Sequence, residues 1–245
     1  MNNYLVEFRV RGHAKRYLKS LMYELDKRFK LKRAFSAGGV PHISLFGPFT
    51  TKNEYLLKKE FCNICRRYDT ITFKFKGFGT FDNPSNKVIF MDVIPSEELR
   101  QFRYDLSKTL SRTCFSKSSF DKCPKEEFDF HATIVFKKID EKFFQIWKCL
   151  QKKEVPHINQ VLLRATIIRG NKILCEYDFL QNKLLNRRQS LNRKIFSKTI
   201  RLLKSKKRGL FIENDFTEKE NLDKSETEYS FWDKISNKII GLFGR

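Results

Sequence analysis

Apolar and polar positions along the chain change period several times, and each change marks an element. Tyr4-Leu5-Val6-Glu7-Phe8-Arg9-Val10 alternates as a strand does and stops at Gly12. From Ala14 the period lengthens: Tyr17, Leu18, Leu21, Met22, Leu25 and Phe29 recur at three and four, which predicts a helix. Residues 31–40 read as a basic loop closing in Gly38-Gly39, and a short strand follows at 42–46, ended by Gly47-Pro48. A second helix is expected over 53–67. Thr70 to Lys76 then alternates again, and Gly77-Phe78-Gly79 leaves that strand.

The scheme restarts at Lys87-Val88-Ile89-Phe90-Met91-Asp92-Val93, another strand. Ser96 is a plausible N-cap for a helix to about 111, with Glu97 and Glu98 in its first turn. A polar loop spans 112–127, a strand covers 130–136, and a helix at about 140–151 carries Phe143, Phe144, Trp147 and Leu150. Residues 161–168 and 173–179 form a hairpin through Gly170-Asn171. Each half therefore reads strand, helix, strand, helix, strand, an internal repeat in architecture rather than in residues. Two such lobes, related by an approximate twofold, would bring their matching third elements to a shared cleft.

Those third elements carry the candidate chemistry. Pro41-His42-Ile43-Ser44-Leu45-Phe46 returns as Phe130-His131-Ala132-Thr133-Ile134-Val135-Phe136. In a strand His42 and Ser44 share one face, as do His131 and Thr133, while the residues between them turn to the core. Imidazole titrates near neutrality, so two of them can act as base and acid on one phosphodiester. Hydroxyls two residues on, with basic side chains nearby, would hold the non-bridging oxygens. A single histidine in a strand is more often structural, and the repeat is what raises the pair above that reading. A metal site would want further ligands. Asp129 precedes His131 on its face, but only Val40 and Pro41 precede His42. His13 and His157 have no hydroxyl two residues on and read as surface or structural.

Composition narrows the setting. Of 245 residues 40% are hydrophobic, with 25 Phe, enough for a sizeable core without staples. Six cysteines lie mostly in apolar or helical patterns, and Cys62-Asn63-Ile64-Cys65 lacks a second pair at zinc spacing, so core packing is expected. With no apolar signal segment and no long apolar run, a reducing, cytoplasmic setting is expected. The net charge of +22 favours polyanions, nucleic acid first and an anionic membrane surface second.

The C-terminal residues 181–245 read as an extension outside the 1–180 domain. Between 183 and 208 stand eleven Lys or Arg and no acid, with Leu184, Leu185, Leu191, Ile195, Ile200 and Leu203 interleaved, predicting a basic, partly amphipathic helix. Residues 213–228 form an acidic linker, and Phe231 to Phe243 turn amphipathic again. That last stretch would dock on the domain, on a helix partner, or on an anionic membrane surface as a peripheral anchor.

The paired motifs resemble those of the 2H phosphoesterase superfamily, whose signature is two H-x-[ST]-hydrophobic motifs. His42-Ile43-Ser44-Leu45 and His131-Ala132-Thr133-Ile134 match it residue by residue. Within that superfamily the chain is most similar to the group of 2′-5′ RNA ligases and RNA 2′,3′-cyclic phosphodiesterases, over about residues 2–180. The resemblance implies an α+β fold of two duplicated β-α-β-α-β lobes (about 1–81 and 86–180, between which strands can be exchanged), with antiparallel sheets around a central cleft. It implies a monomer that needs no metal or cofactor and opens 2′,3′-cyclic phosphates of RNA ends, or cleaves or joins 2′-5′ linkages. His42 and His131 would be the catalytic pair and Ser44 and Thr133 would orient the phosphate. Tyr4, Arg9, Lys74, Lys76, Lys87 and Arg164 are further candidates for RNA contact, and Phe49 for base stacking. The alternatives are a phosphodiesterase on a small nucleotide such as 2′-5′ oligoadenylate, or a non-catalytic RNA- or membrane-associated module.

Overall fold

In a computed structural model, residues 3–31, 40–83, 86–136 and 139–213 are described. The acidic linker from 214 and the amphipathic stretch 231–243 lie outside them, as does most of the basic loop at 31–40. The chain divides into two compact units, Met1–Leu202 and Leu203–Arg245. The described part of the second is the C-terminal portion of a helix that runs from Arg193 to Glu213.

The first unit alternates strands and helices. Its strands are β1 (Tyr4–Arg9), β2 (His42–Thr51), β3 (Ile71–Asn83), β4 (Asn86–Pro95), β5 (Cys114–Ser116), β6 (His131–Phe136), β7 (His157–Leu162), β8 (Arg164–Arg169), β9 (Lys172–Asp178) and β10 (Lys183–Asn186). The helices are α1 (Gly12–Phe29), α2 (Glu54–Cys65), α3 (Glu97–Leu110), α4 (Phe143–Gln151), α5 (Arg187–Ser190) and α6 (Arg193–Glu213). Ser96 caps α3 as expected, accepting from the Leu99 amide at 3.2 Å, and Asn53 does the same for α2.

All ten strands join one open antiparallel sheet in the order β10-β9-β8-β1-β2-β6-β4-β3-β7, with β5 paired to β2. The two histidine strands, β2 and β6, are neighbours at its centre. On one side stands β1 and then β8 from late in the chain; on the other stands β4 and then β3 from early in the chain. This is an α+β fold in which the closing strand of each half lies beside the opening strand of the other.

One face of the sheet is apolar and covered. Phe8, Ile43, Ala132, Met91, Phe73 and Tyr177 are buried there under α1 to α4. Each fully buried side chain of this kind contributes roughly 1.5–3 kcal/mol. Cys62 and Cys65 belong to this core, and both are free thiols. Burial pushes the Cys65 thiol well above its usual range, so it packs rather than reacts.

Several elements depart from the sequence pattern. β2 does not end at Gly47-Pro48 but continues to Thr51, and Cys114–Ser116, inside the expected loop at 112–127, pairs with its last residues as β5. β3 does not end at Lys76: it bulges between Phe75 and Phe78 and runs on to Asn83 against β4. Gly77 takes the bulge with φ +84, where a side chain would be strained. The extra residue reverses the facing, so Phe81 points to the opposite face from Phe73 and Phe75. The segment expected as one strand at 161–168 breaks at Leu163, where β7 pairs with β3 and β8 with β1. Residues 183–186, expected as helix, form β10 on the sheet edge, and the long basic helix starts only at Arg193.

The short α5 and the start of α6 lie on the other face of the sheet, over β8 and β9, held by a buried charge cluster. Arg164 donates to Asp178 at 2.7 Å, to Glu176 at 3.2 Å and to Thr199 of α6 at 3.1 Å. Thr166 donates to Glu176, and Gln181 bridges Asp178 and Thr199. The Arg164, Glu176 and Asp178 side chains are at most 1% exposed, so every charge there is paired or hydrogen-bonded.

Candidate active site

The seam between β2 and β6 places the two motifs. Ile43 pairs with Ala132, and both are buried toward the helices. Period-2 alternation then puts His42, Ser44, His131 and Thr133 together on the opposite, open face. All four are half-buried, the expected state at the floor of an open groove.

Each imidazole is fixed in the same way. His42 Nδ1 lies 3.0 Å from the Val40 carbonyl, and His131 Nδ1 lies 2.9 Å from the Asp129 carbonyl. A carbonyl only accepts, so Nδ1 carries the donated proton in both rings and Nε2 is left for chemistry. The Asp129 contact to His131 is through its backbone. Among the described residues no three His, Cys, Asp or Glu side chains gather as a metal site would need.

The surroundings of the two rings differ. His131 sits between Phe81 and Phe90, with ring centroids 5.0 and 5.1 Å away. Burial in this aromatic slot is the main cause that lowers its pKa below the ordinary imidazole value, and the charge of His42 adds to the effect. Gly79 makes the slot possible: a Cβ there would stand 2.4 Å from the Phe90 ring. His42 instead faces a carboxylate, its Nε2 lying 3.8 Å from Glu7 Oε2. Glu7 is 6% exposed, and burial raises its pKa while His42 and Arg9 pull it down.

Register assigns the remaining candidates to faces. Arg9 pairs with His42 and Glu7 with Ser44, so both acid and base line the open face. Lys74 and Lys76 are exposed on that same face, two strands beyond β6. Other candidates fall elsewhere. Tyr4 is buried on the helix side and donates to Glu54 at 3.2 Å. The Lys87 ammonium sits over the Phe143 and Phe144 rings of α4. Arg164 is enclosed in its charge cluster, and Phe49 is 1% exposed in the core, stacked on Tyr4. The aromatic side chain at the rim is Phe120, half exposed and 6.5 Å from Phe81. Its loop is pinned by Asp121, which accepts the Gly47 amide at 2.9 Å and stands 3.7 Å from buried Arg103. His13 and His157 are exposed and away from the pair.

Glu7, Phe81, Phe90 and Phe120 are additions that sequence reasoning missed. A lone acid inside the apolar β1 was a legible sign for Glu7. Phe81 and Phe90 had none, since the bulge at Gly77 decides their facing.

A family model described as the 2′-5′ RNA ligase superfamily matches residues 18–162, from within α1 through β7. No curated protein matches the chain. With more than half its length in that match and both histidine strands inside it, this chain belongs to the 2′-5′ RNA ligase superfamily.

Proposed function

We propose that the chain is a metal-independent phosphodiesterase that opens 2′,3′-cyclic phosphates at RNA ends, leaving a 2′-phosphate, and that the same site acts on 2′-5′ linkages. Superfamily membership supports phosphoesterase-type activity in general. The observation that carries the finer reading is the matched presentation of His42 and His131: adjacent strands, one face, and the same Nδ1–carbonyl bond leaving Nε2 open.

In the cycle we assign, water attacks phosphorus while His131 Nε2 takes its proton. The bond from phosphorus to O3′ breaks, and His42 Nε2–H delivers a proton to the departing O3′. The roles follow from surroundings. A ring whose protonation is disfavoured by burial is a ready base at neutral pH, which fits His131. A ring facing the Glu7 carboxylate has an ion-pair partner when it carries the proton, which fits His42 as acid. Ser44 and Thr133 hold the non-bridging oxygens, Arg9 balances their charge, and Phe120 offers a face to a terminal base. The mirrored strand order about the Ile43–Ala132 pair supports reading the two arms of the sheet as duplicated lobes with exchanged closing strands.

His42→Ala and His131→Ala should each lower hydrolysis of a nucleoside 2′,3′-cyclic phosphate by roughly 10²–10⁴-fold. Both variants should keep the wild-type melting transition, and EDTA should leave the wild-type rate unchanged. Full turnover in either variant sinks the proposal.

A further inference from the structure

A cavity of about 450 Å³ opens at Arg9, the cross-strand partner of His42, and apart from Arg9 its lining residues have no part in the cycle above. Its wall includes Arg9, Arg11, Lys15, Asn192, Arg193 and Phe196, and no acidic residue among the described ones lines it. Apart from Val40, every lining residue lies outside the 18–162 span, so the superfamily pattern does not account for it. β1 and the start of α1 supply one wall, and the turn from α5 into α6 supplies the other.

The side chains there are positioned rather than merely basic. The Arg11 guanidinium lies 4.5 Å from the Phe196 ring centre and 3.2 Å from Glu176, held from below and from the side. Glu176 is shared with Arg164, and Glu7 with Arg9 and His42, so two carboxylates serve four basic groups. Lys15 and Arg193 have no carboxylate partner among the described residues. Burial is the largest cause lowering the Lys15 pKa, followed by the charges of Lys19, Arg11 and Arg9. Cations crowded to that degree in a concave site are relieved by an anion.

The cavity is also joined to the catalytic pair. Arg9 pairs across the strands with His42, a cross-strand Cβ separation of about 5 Å. The Val40 carbonyl that orients His42 belongs to the same wall. An anion here lies next to the scissile phosphate, and volume of this order admits a phosphate with its sugar.

We infer that this cavity binds a second phosphate of the substrate, the phosphodiester preceding the cyclic end, and so selects RNA ends of two or more nucleotides over mononucleotides. The inference rests on the proposed function for its substrate, though not for the existence of the anion site. A direct test uses the full chain carrying Lys15→Glu and Arg193→Glu. A charge-matched control carries Lys59→Glu and Lys148→Glu, on exposed positions of α2 and α4 across the sheet.

Titration calorimetry with inorganic pyrophosphate should show binding at least tenfold weaker in the cavity variant than in the control. Equal affinity overturns the site whether or not any ester is turned over. For turnover, wild type should prefer a dinucleotide ending in a 2′,3′-cyclic phosphate over the mononucleoside cyclic phosphate by at least tenfold in kcat/KM. The cavity variant should lose that ratio. A mononucleoside carrying both a 5′-phosphate and the cyclic phosphate tells a terminal phosphate from an internal one. A ratio that stays the same in the cavity variant overturns the selectivity, while absence of turnover with all three esters overturns the functional reading alone.

Discussion

The two histidines of this site are the same residue under the same backbone restraint, and their neighbours make them different. His131 is enclosed by Phe81 and Phe90, and burial lowers its pKa below the ordinary value near 6.5. If it is the base, kcat/KM should fall on the acid side with a midpoint below 6.5, as a pH–rate profile on a cyclic nucleotide would show. Phe81→Ala opens the slot to water and should move that midpoint up toward 6.5; a midpoint that stays put would remove His131 as the titrating base. The linked stability has a definite sign. A folded pKa below the unfolded one means stability present above about pH 6.5 and lost as pH falls through the lower folded value.

At the scale of elements, a buried charge cluster ties α5 and the start of α6 to the sheet. Arg164 is its centre, and replacing it leaves Glu176 and Asp178 buried without their cation. Arg164→Met should therefore cost about 3–5 kcal/mol, a drop in melting temperature on the order of 10 °C for a unit of this size. A loss below about 1 kcal/mol in urea unfolding would show that water reaches the cluster. This network bears on what the sequence could reveal. The strands around His42 and His131 were legible because alternation is local and was repeated. Arg164 read as a candidate RNA contact, since nothing within β8 says that Thr199 will close over it. The pairing of β8 with β1 joins residues distant in sequence, and the facing of Phe81 is set by a bulge against β4 that alternation within β3 does not announce. Lys183 to Asn186 looked helical because its neighbours are rich in Lys, Arg and Leu. Its edge pairing with β9 prevailed over that local preference.

For the molecule as a whole, a net charge of +22 makes salt-sensitive RNA binding expected from any surface, so the useful question is which face carries it. Helices cover the apolar face, and the histidines open on the other. Lys74 and Lys76 stand on that open face beyond β4, while Arg9 and the cationic cavity stand on the far side of β2. A strand of RNA laid across the central seam would meet positive charge on both flanks and the imidazoles between. Lys74→Glu with Lys76→Glu should weaken binding of a short single-stranded RNA and reduce the slope of log K against log salt by about 0.7 for each phosphate no longer neutralised. The charge-matched pair Lys59→Glu and Lys148→Glu, on the helical side, should leave the slope nearer to wild type, because it lowers net charge without touching the groove. Fluorescence anisotropy across a salt series separates the two. Equal slopes in both variants would mean that β3 is not on the RNA path, and that the strand leaves the histidines toward the cavity beside β1 alone.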